Sequence, residues 1–275
     1  YVLGNGKASP GQLGIDDDRL ISGLRRLSDA IHHDGARVII QLTHAGARAS
    51  REVIGKQPAG PWNVPVHPDD EVPRPLTVPE LKDVVMAFGE AAHRAMEANF
   101  DGVELHGAHS FLLCEFISPY TNRRQDEYGG TLEGRLRFPL EVIAEVRNRI
   151  GENAPLFYRF GADDMMEGGL SRDEAKLIAP RLEGAGVDVI DISGGLGGSG
   201  RAHFTEQGYF VPLAQSIKET VKIPVVGVGN ITEPEYADSV VREGRVDLVA
   251  IGRKLLSNPE FPKQAARKLG VLTAQ

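Results

Sequence analysis

Cysteine is almost absent from this sequence of 275 residues, since Cys114 is the single one. The chain alone can therefore form neither an internal disulfide nor a cysteine-ligated iron–sulfur cluster, and it fits a reducing compartment. No apolar run approaches the roughly 20 residues of a membrane span, and residues 1–14 lack the basic and apolar regions of a signal peptide. A formal net charge of -7 without a block of lysine and arginine argues against nucleic-acid binding. We therefore expect a cytoplasmic protein that binds neither nucleic acid nor membrane.

Strand and helix signals alternate along the whole chain. Short apolar runs predict strands at residues 38–42, 103–105, 156–160, 187–192, 225–228 and 248–251. Amphipathic runs predict helices at residues 17–33, 78–99, 132–150, 172–185, 212–221, 233–243 and 260–269. Continuous apolar strands between amphipathic helices indicate a parallel sheet covered by helices. Because no linker or composition shift divides the chain, we expect residues 1–275 to form a single β/α domain.

The number of predicted strands is six, whereas a closed β/α barrel has eight. Six strands would leave two unpaired edges, which natural sheets avoid. Three explanations are open: undetected strands, an open doubly wound sheet, or a chain that lacks the first βαβ portion of a barrel. Residues 50–74, which are rich in proline and glycine, predict a long loop over the mouth of the sheet.

Three predicted helices begin with serine or threonine three residues before glutamate, which is the spacing of a capping box. The pairs are Thr77 with Glu80, Ser171 with Glu174, and Thr232 with Glu235. Each pair predicts a helix that starts directly after the serine or threonine.

Polar side chains stand where the first two predicted strands end. Gln41 and His44 close the first strand, and His106 and His109 follow the second. The carboxyl ends of barrel strands form the active-site mouth, so imidazoles placed there are more typical of ligand contact than of core packing. A zinc site of His44, His106 and His109 is an alternative, because imidazole is a common zinc ligand. It is weakened because no carboxylate is obviously placed with them and no His-x-His motif occurs.

Arg159 lies inside an apolar strand, where an unpaired buried charge is costly. Its side chain could form a structural ion pair with an acid such as Asp163 or Asp191. It could equally face an electron-rich cofactor, and the sequence leaves both interpretations open.

Glycines close the last two predicted strands, in the sequences Gly-Val-Gly-Asn at residues 227–230 and Gly252-Arg253. Bare backbone N–H groups at a helix start attract an anion, and Arg253 adds a fixed positive charge. In β/α barrels a phosphate often binds at the ends of these two strands. The pattern favours a phosphate ligand over ordinary tight turns.

These residues lie in motifs that resemble the old yellow enzyme family of FMN-dependent NAD(P)H oxidoreductases, and the resemblance covers nearly all of the chain. The motifs are QLTHAGAR at 41–48, DGVELHGAH at 101–109, FISPYTNRRQDEYGGTLEGRLRFPLEVI at 116–143, VDVIDISGG at 187–195, PVVGVGNI at 224–231 and DLVAIGRKLLSNPEF at 247–261. The third motif is highly specific to the family. The C-terminal sequence looks closest to the bacterial single-domain branch.

The resemblance implies a (β/α)8 TIM barrel with FMN in its mouth, NADH or NADPH as the reductant, and a small-molecule substrate. It aligns the six strands with barrel strands three to eight, so the domain would be N-terminally incomplete. Carried over by position, Gln41 would hydrogen-bond the pyrimidine side of the flavin, and Arg159 would lie near its N1 and O2 atoms. Gly229, Gly252 and Arg253 would hold the phosphate. A homo-oligomer is a further expectation.

His106 and His109 are the catalytic and substrate-binding residues that the resemblance implies. Their hydrogen bonds to a carbonyl or nitro oxygen would polarise a conjugated C=C that accepts hydride from the flavin. Phe111, also a substrate-binding candidate, replaces the tyrosine that the family usually uses as proton donor. Water or another residue would then supply the proton, or the natural reaction is not ordinary enone reduction. A zinc-dependent hydrolase and a non-catalytic barrel fragment are the alternatives.

The polar loop after the second histidine is predicted to form a hydrogen-bonded structural network. Its members are Asn122, Arg124, Asp126, Tyr128, Gly129, Gly130 and Arg135.

Overall fold

Eight strands are present in the computed structural model, which describes residues 1–198 and 205–271. They are β1 (Ile39–Leu42), β2 (Ala59–Gly60), β3 (Arg74–Pro75), β4 (Gly102–Gly107), β5 (Leu156–Gly161), β6 (Val189–Ser193), β7 (Val225–Gly227) and β8 (Leu248–Val249). Six of them form one parallel sheet in the order β1-β4-β5-β6-β7-β8, and β2 pairs with β3. The six predicted strands are thus confirmed, with ends that differ by at most two residues.

The strand order of the large sheet follows the order of the chain, without the reversal that defines a doubly wound sheet. Sequential parallel strands connected through helices are the arrangement of a β/α barrel. Within the described residues, β1 and β8 stand at the two edges and do not pair with each other. The sheet is therefore of the barrel type, but the barrel is not closed.

Ten α-helices lie within the described residues. They are α1 (Ile21–His33), α2 (Arg51–Ile54), α3 (Val78–Glu97), α4 (Leu112–Ile117), α5 (Leu132–Ile150), α6 (Arg172–Gly184), α7 (Val211–Lys218), α8 (Pro234–Arg242), α9 (Arg253–Ser257) and α10 (Phe261–Lys268). The seven predicted helices are confirmed. The three others, α2, α4 and α9, are too short for helical periodicity to be visible in the sequence. No helix in this part of the chain has the length and hydropathy needed to cross a membrane.

Two of the three predicted helix caps are confirmed. At the start of α3, the Glu80 N–H donates to Thr77 Oγ1 at 3.4 Å, and the Thr77 N–H donates to Glu80 Oε2 at 2.8 Å. These reciprocal bonds form the complete capping box. At the start of α6, the Glu174 N–H donates to Ser171 Oγ at 3.3 Å.

The predicted cap at Thr232 is wrong. Helix α8 begins at Pro234, and its N-cap residue is Glu233, which makes no side-chain capping bond. Proline favours the first position of a helix because its φ is already helical and its missing N–H is not needed there. The Thr232 N–H instead donates to Gln207 Oε1 at 3.0 Å, so Thr232 belongs to the loop before the helix.

The predicted network after α4 is confirmed. Asn122 Nδ2 donates to the carbonyl oxygens of Phe116 and Tyr128, both at 2.8 Å. Arg124 Nη1 donates to the Leu76 carbonyl oxygen at 2.6 Å, and Arg135 Nε donates to the Ile117 carbonyl oxygen at 2.8 Å. Buried arginines that donate to backbone carbonyl oxygens tie this loop to its neighbours, which is a structural role.

Candidate active site

The carboxyl ends of β4, β5 and β6 bring three predicted side chains into one row. In the register of the sheet, His106 on β4 is opposite Arg159 on β5, and Arg159 is opposite Asp191 on β6. Residues opposite each other in a sheet project on the same face. The sheet therefore places an imidazole, a guanidinium and a carboxylate side by side at its mouth.

His109 is returned toward His106 by an unusual turn directly after β4. The φ angles of His109 and Ser110 are 56° and 64°, in the left-handed region that few residues other than glycine adopt. The turn is fixed from the loop after β6, because the His109 N–H donates to the Gly194 carbonyl oxygen at 3.3 Å and Ser110 Oγ donates to the Leu196 carbonyl oxygen at 2.9 Å. The two imidazole centroids lie 5.1 Å apart as a result.

Both imidazoles are held neutral. Burial lowers the pKa of His106 well below its ordinary value, and the charge of Arg159, like that of His109 when protonated, lowers it further. Burial and the positive charge of Arg159 lower the pKa of His109 to about 4. A neutral imidazole has one N–H donor and one acceptor nitrogen. At neutral pH the pair can therefore offer hydrogen bonds to a ligand oxygen without carrying charge.

The hydrogen bonds of the two rings differ. His109 Nε2 and Ser193 Oγ, at the end of β6, are hydrogen-bonded at 2.7 Å. His106 Nδ1 is buried and has no hydrogen-bond partner among the described residues. An unpaired buried polar atom is costly, so in a functional site it indicates a place for a ligand atom.

Phe111 packs edge-on against His106, with the ring centroids 4.7 Å apart. It is half-buried and precedes the first residue of α4. The ring therefore forms a wall beside His106, and it has no group that donates a proton.

Arg159 interacts with one of the two acids that the sequence left open. Its Nε lies 3.6 Å from Asp191 Oδ2, whereas Asp163 Oδ2 pairs with Arg172 Nε at 2.9 Å. The Arg159 Nε makes no hydrogen bond to a described residue, although it is buried. The ion pair thus leaves part of the guanidinium available to a further acceptor.

Gln41 lies on β1 opposite Glu104 of β4, and its Nε2 donates to Glu104 Oε1 at 2.6 Å. Its own side chain is exposed at the open edge of the sheet. Gln41 is therefore bonded to Glu104, a carboxylate that sequence reasoning did not single out.

The predicted phosphate residues surround a cavity of about 220 Å³ that Arg159 also lines. Gly229, Gly252 and Arg253 contribute to its wall, with Arg253 as the first residue of α9. The φ of Gly229 is 124°, and a Cβ there would lie 2.9 Å from the Tyr209 backbone nitrogen. Only glycine fits this position. The structure therefore joins the Arg159 region to the glycine-rich turns in a single cavity.

The zinc alternative is not favoured. Within residues 1–198 and 205–271, no group of three or more histidine, cysteine, aspartate or glutamate side chains could hold a metal ion. The third candidate ligand, His44, is buried with its Nδ1 accepting a hydrogen bond from the Gly46 N–H at 3.1 Å. Its ring also packs against Gly6, where an added Cβ would lie 2.4 Å from it. His44 is a packed structural residue.

Three residues of the site were not predicted as functional: Ser193, Glu104 and Tyr209. Ser193 lies two residues after Asp191 on β6, and Glu104 lies two residues before His106 on β4. The two-residue period of a strand places each pair on one face and could have identified both. Tyr209 comes from a loop, where no period exists.

The model of the NADH:flavin oxidoreductase / NADH oxidase family matches residues 2–271, and the chain belongs to this family. It is 45% identical over 265 residues to an NADH oxidase of Thermoanaerobacter brockii, covering 94% of this chain and 41% of that protein. It is 40% identical over 269 residues to an NADPH dehydrogenase of Geobacillus sp. strain WCH70, covering 98% of this chain and 77% of that protein. The predicted family is thereby confirmed, and FMN is the cofactor that this family implies.

Two solved structures show the same fold. Morphinone reductase superposes with a TM-score of 0.84 at 25% identity, over 100% of this chain and 76% of that protein. A complex of 2-naphthoyl-CoA reductase superposes with a TM-score of 0.92 at 29% identity, over 98% of this chain and 43% of that protein. The β/α barrel class is confirmed by these matches. The chain spans about two fifths of the length of the NADH oxidase and the naphthoyl-CoA reductase.

Proposed function

We propose that this chain forms the flavin- and substrate-binding mouth of an NAD(P)H-dependent oxidoreductase that delivers hydride to an activated C=C or a similar electrophile. The observation that carries the proposal is the position of Arg159. This residue lies opposite His106 in the sheet and also lines the cavity of Gly229, Gly252 and Arg253. A ligand with a ring at the imidazoles and a phosphate at the glycines would span this space, as FMN does.

The residues present fit FMN. The Arg159 guanidinium, whose buried Nε makes no hydrogen bond to a described residue, offers a donor and a positive charge to the pyrimidine side of the ring. Gly229 and Gly252, with Arg253, would form the phosphate cradle, and Gln41, exposed on β1, would bind the edge of the ring. When bound, FMN supplies the hydride chemistry, while the protein supplies position and charge.

His106 and His109 would bind the electron-withdrawing oxygen of the substrate. Because both imidazoles are neutral, each has one N–H donor, and that of His109 is free for this oxygen when Ser193 Oγ donates to His109 Nε2. Donors that point at developing negative charge in a buried site lower the barrier of the reaction. Phe111 would hold the substrate against His106 by its edge-on ring, and solvent would supply the proton at the carbon.

We also propose that two further strands complete the barrel between β8 and β1, which makes the six strands barrel strands three to eight. Leu248 on β8 is 49% exposed, and a cavity of about 370 Å³ borders Ile39 and Ile40 on β1. Apolar side chains at an unpaired edge favour cover by another strand. A cytoplasmic location and a homo-oligomeric state stay predictions.

The test is the absorbance spectrum of the full-length protein. We expect flavin bands that bleach on anaerobic addition of NADH or NADPH and return on addition of 2-cyclohexenone. Replacement of Arg159 by alanine should weaken FMN binding about tenfold or more, since a charged hydrogen bond contributes on the order of 1.5–3 kcal/mol. Arg172→Ala, which removes an arginine paired with Asp163 outside this row, is the matched control. A protein that stays colourless after reconstitution with FMN would contradict the proposal.

A further inference from the structure

Two carboxylates lie on the same face of the sheet as the guanidinium of Arg159. Asp191 lies opposite Arg159 on the neighbouring strand β6. Glu104, on β4, lies two residues before His106, which is the other register partner of Arg159. All four side chains therefore project on one face of the sheet. If both carboxylates were ionised, this buried cluster would carry one negative charge in excess.

The surroundings do not neutralise that excess. Gln41, which bonds to Glu104 from β1, is uncharged, and the register partner of Asp191 on β7 is the apolar Val226. The charged groups acting on Asp191 are Glu104 from β4 and Arg159 from β5. Asp191 Oδ1 is buried and has no hydrogen-bond partner among the described residues. An orphaned carboxylate oxygen in a low-dielectric site favours a bound proton.

We propose that Glu104 and Asp191 form a coupled acid pair that holds one proton at a pH where ordinary carboxyls are ionised, and that keeps this proton to a higher pH when negative charge develops on the cavity side of Arg159. Asp191 pairs with the guanidinium at 3.6 Å, while the same guanidinium lines the cavity assigned to the cofactor. Arg159 thus connects the cofactor to the acid pair. Glu104 and Asp191 act through Arg159 and are positioning residues.

The electrostatic consequences agree with this geometry. Burial raises the pKa of Asp191, and the negative charge of Glu104 raises it further, against the opposing charge of Arg159. Burial likewise raises the pKa of Glu104, although the Gln41 hydrogen bond and Arg159 act in the opposite direction. Two carboxylic acids that interact in one site lose their protons in separate steps, and the second proton is lost at a higher pH.

This part of the inference rests on the proposed function, under which the uptake of the proton balances in charge and atoms. A hydride from NAD(P)H brings two electrons and one proton to the cofactor and leaves NAD(P)+. Bound FMN would thereby gain one negative charge, which Arg159 would face from the wall of the cavity. The acid pair then takes one proton from solvent, so the net charge of the site stays constant.

The first experiment needs no cofactor. Carbon-13 NMR of the full-length protein, labelled at aspartate and glutamate carboxyls, follows the pair in the wild type, Asp191→Asn and Glu104→Gln. We expect one wild-type carboxyl of the pair to stay protonated above about pH 6, where ordinary carboxyls are ionised. In each variant the remaining carboxyl should titrate about one pH unit lower or more, because the like charge is gone. Glu152→Gln, on an exposed turn, should change neither titration. If both wild-type carboxyls ionise near about pH 4, the inference is overturned.

The second experiment measures the midpoint potential of the FMN-loaded protein against pH. Reduction of the wild type should take up about one proton more, between about pH 7 and pH 8, than reduction of Asp191→Asn or Glu104→Gln. An identical pH dependence in all three proteins would overturn the coupling to Arg159. Failure to bind FMN would contradict the proposed function instead, and the carboxyl titration would still decide whether the pair holds the proton.

Discussion

Acid should destabilise this protein through His44, and the size of the effect follows from its burial. The side chain is 2% exposed, two residues after the end of β1, and burial lowers its pKa to about 4, with the charges of the N-terminal amino group and Lys56 adding smaller contributions. In the unfolded chain a histidine has a pKa of about 6.5. Between these two values the unfolded state binds more protons than the folded state, so folding weakens as the pH falls through this window.

The magnitude can be worked out from the two pKa values. A difference of about 2.5 pKa units corresponds to about 3 kcal/mol when both states are fully protonated, at 1.36 kcal/mol per unit. At about pH 5 the linkage equation gives a loss of about 2 kcal/mol relative to about pH 8. Asparagine at this position cannot titrate, but its side-chain oxygen can accept the Gly46 N–H bond that His44 Nδ1 accepts at 3.1 Å.

The assay is urea unfolding at about pH 8 and about pH 5. His44→Asn should lower the free energy of unfolding at the higher pH, because a buried ring is lost. On acidification from about pH 8 to about pH 5, however, the variant should lose about 2 kcal/mol less unfolding free energy than the wild type. His67→Asn, at an exposed position, is the matched control and should keep the wild-type pH dependence. If His44→Asn loses as much stability as the wild type on acidification, the argument from burial is refuted.

Three further results are expected at the site. Phe111 packs 4.7 Å from His106, and Phe111→Tyr adds a proton donor at this place. The variant should accelerate reoxidation of the reduced flavin by 2-cyclohexenone about tenfold in stopped-flow experiments, whereas an unchanged rate would show that solvent already supplies the proton. His109→Ala should lower kcat/KM on the order of 10²-fold while FMN fluorescence titration shows unchanged affinity, and a loss of FMN binding instead would contradict its assignment to the substrate. The pKa of His109 is lowered to about 4 and that of His106 well below its ordinary value, so the pH profile of kcat/KM should show no histidine inflection near about pH 6.5. An inflection there that His109→Ala abolishes would contradict neutral imidazoles.

The helices and strands were predictable because their signals are local. The capping box at Thr77 lies within four consecutive residues, and the apolar composition of β5 is sufficient to predict a strand. The error at Thr232 has the same origin, since two overlapping local signals competed and Pro234 determined the helix start. Short elements such as α4 were missed because six buried residues carry no helical period.

The candidate site was predictable only where strand ends identify it. His106 and Arg159 lie in strands that the sequence shows clearly, and His109 follows the first of these strands by two residues. Ser193 and Glu104 also lie in such strands, but their hydrogen-bond partners are more than 50 residues away in the chain, and no local pattern reveals them. The turn that returns His109 to His106 depends on carbonyl oxygens in the loop after β6.

The sequence by itself determined the family, the parallel β/α architecture and the residue types at the mouth, because periodicity and motifs are properties of neighbouring residues. Only the tertiary structure decided that Asp191 rather than Asp163 pairs with Arg159, that His44 is a packing residue, and that Glu104 joins the same cluster. The physical reason is register and burial. Which charges meet is set by the pairing of distant strands, and whether a group is charged is set by the solvent that those strands exclude.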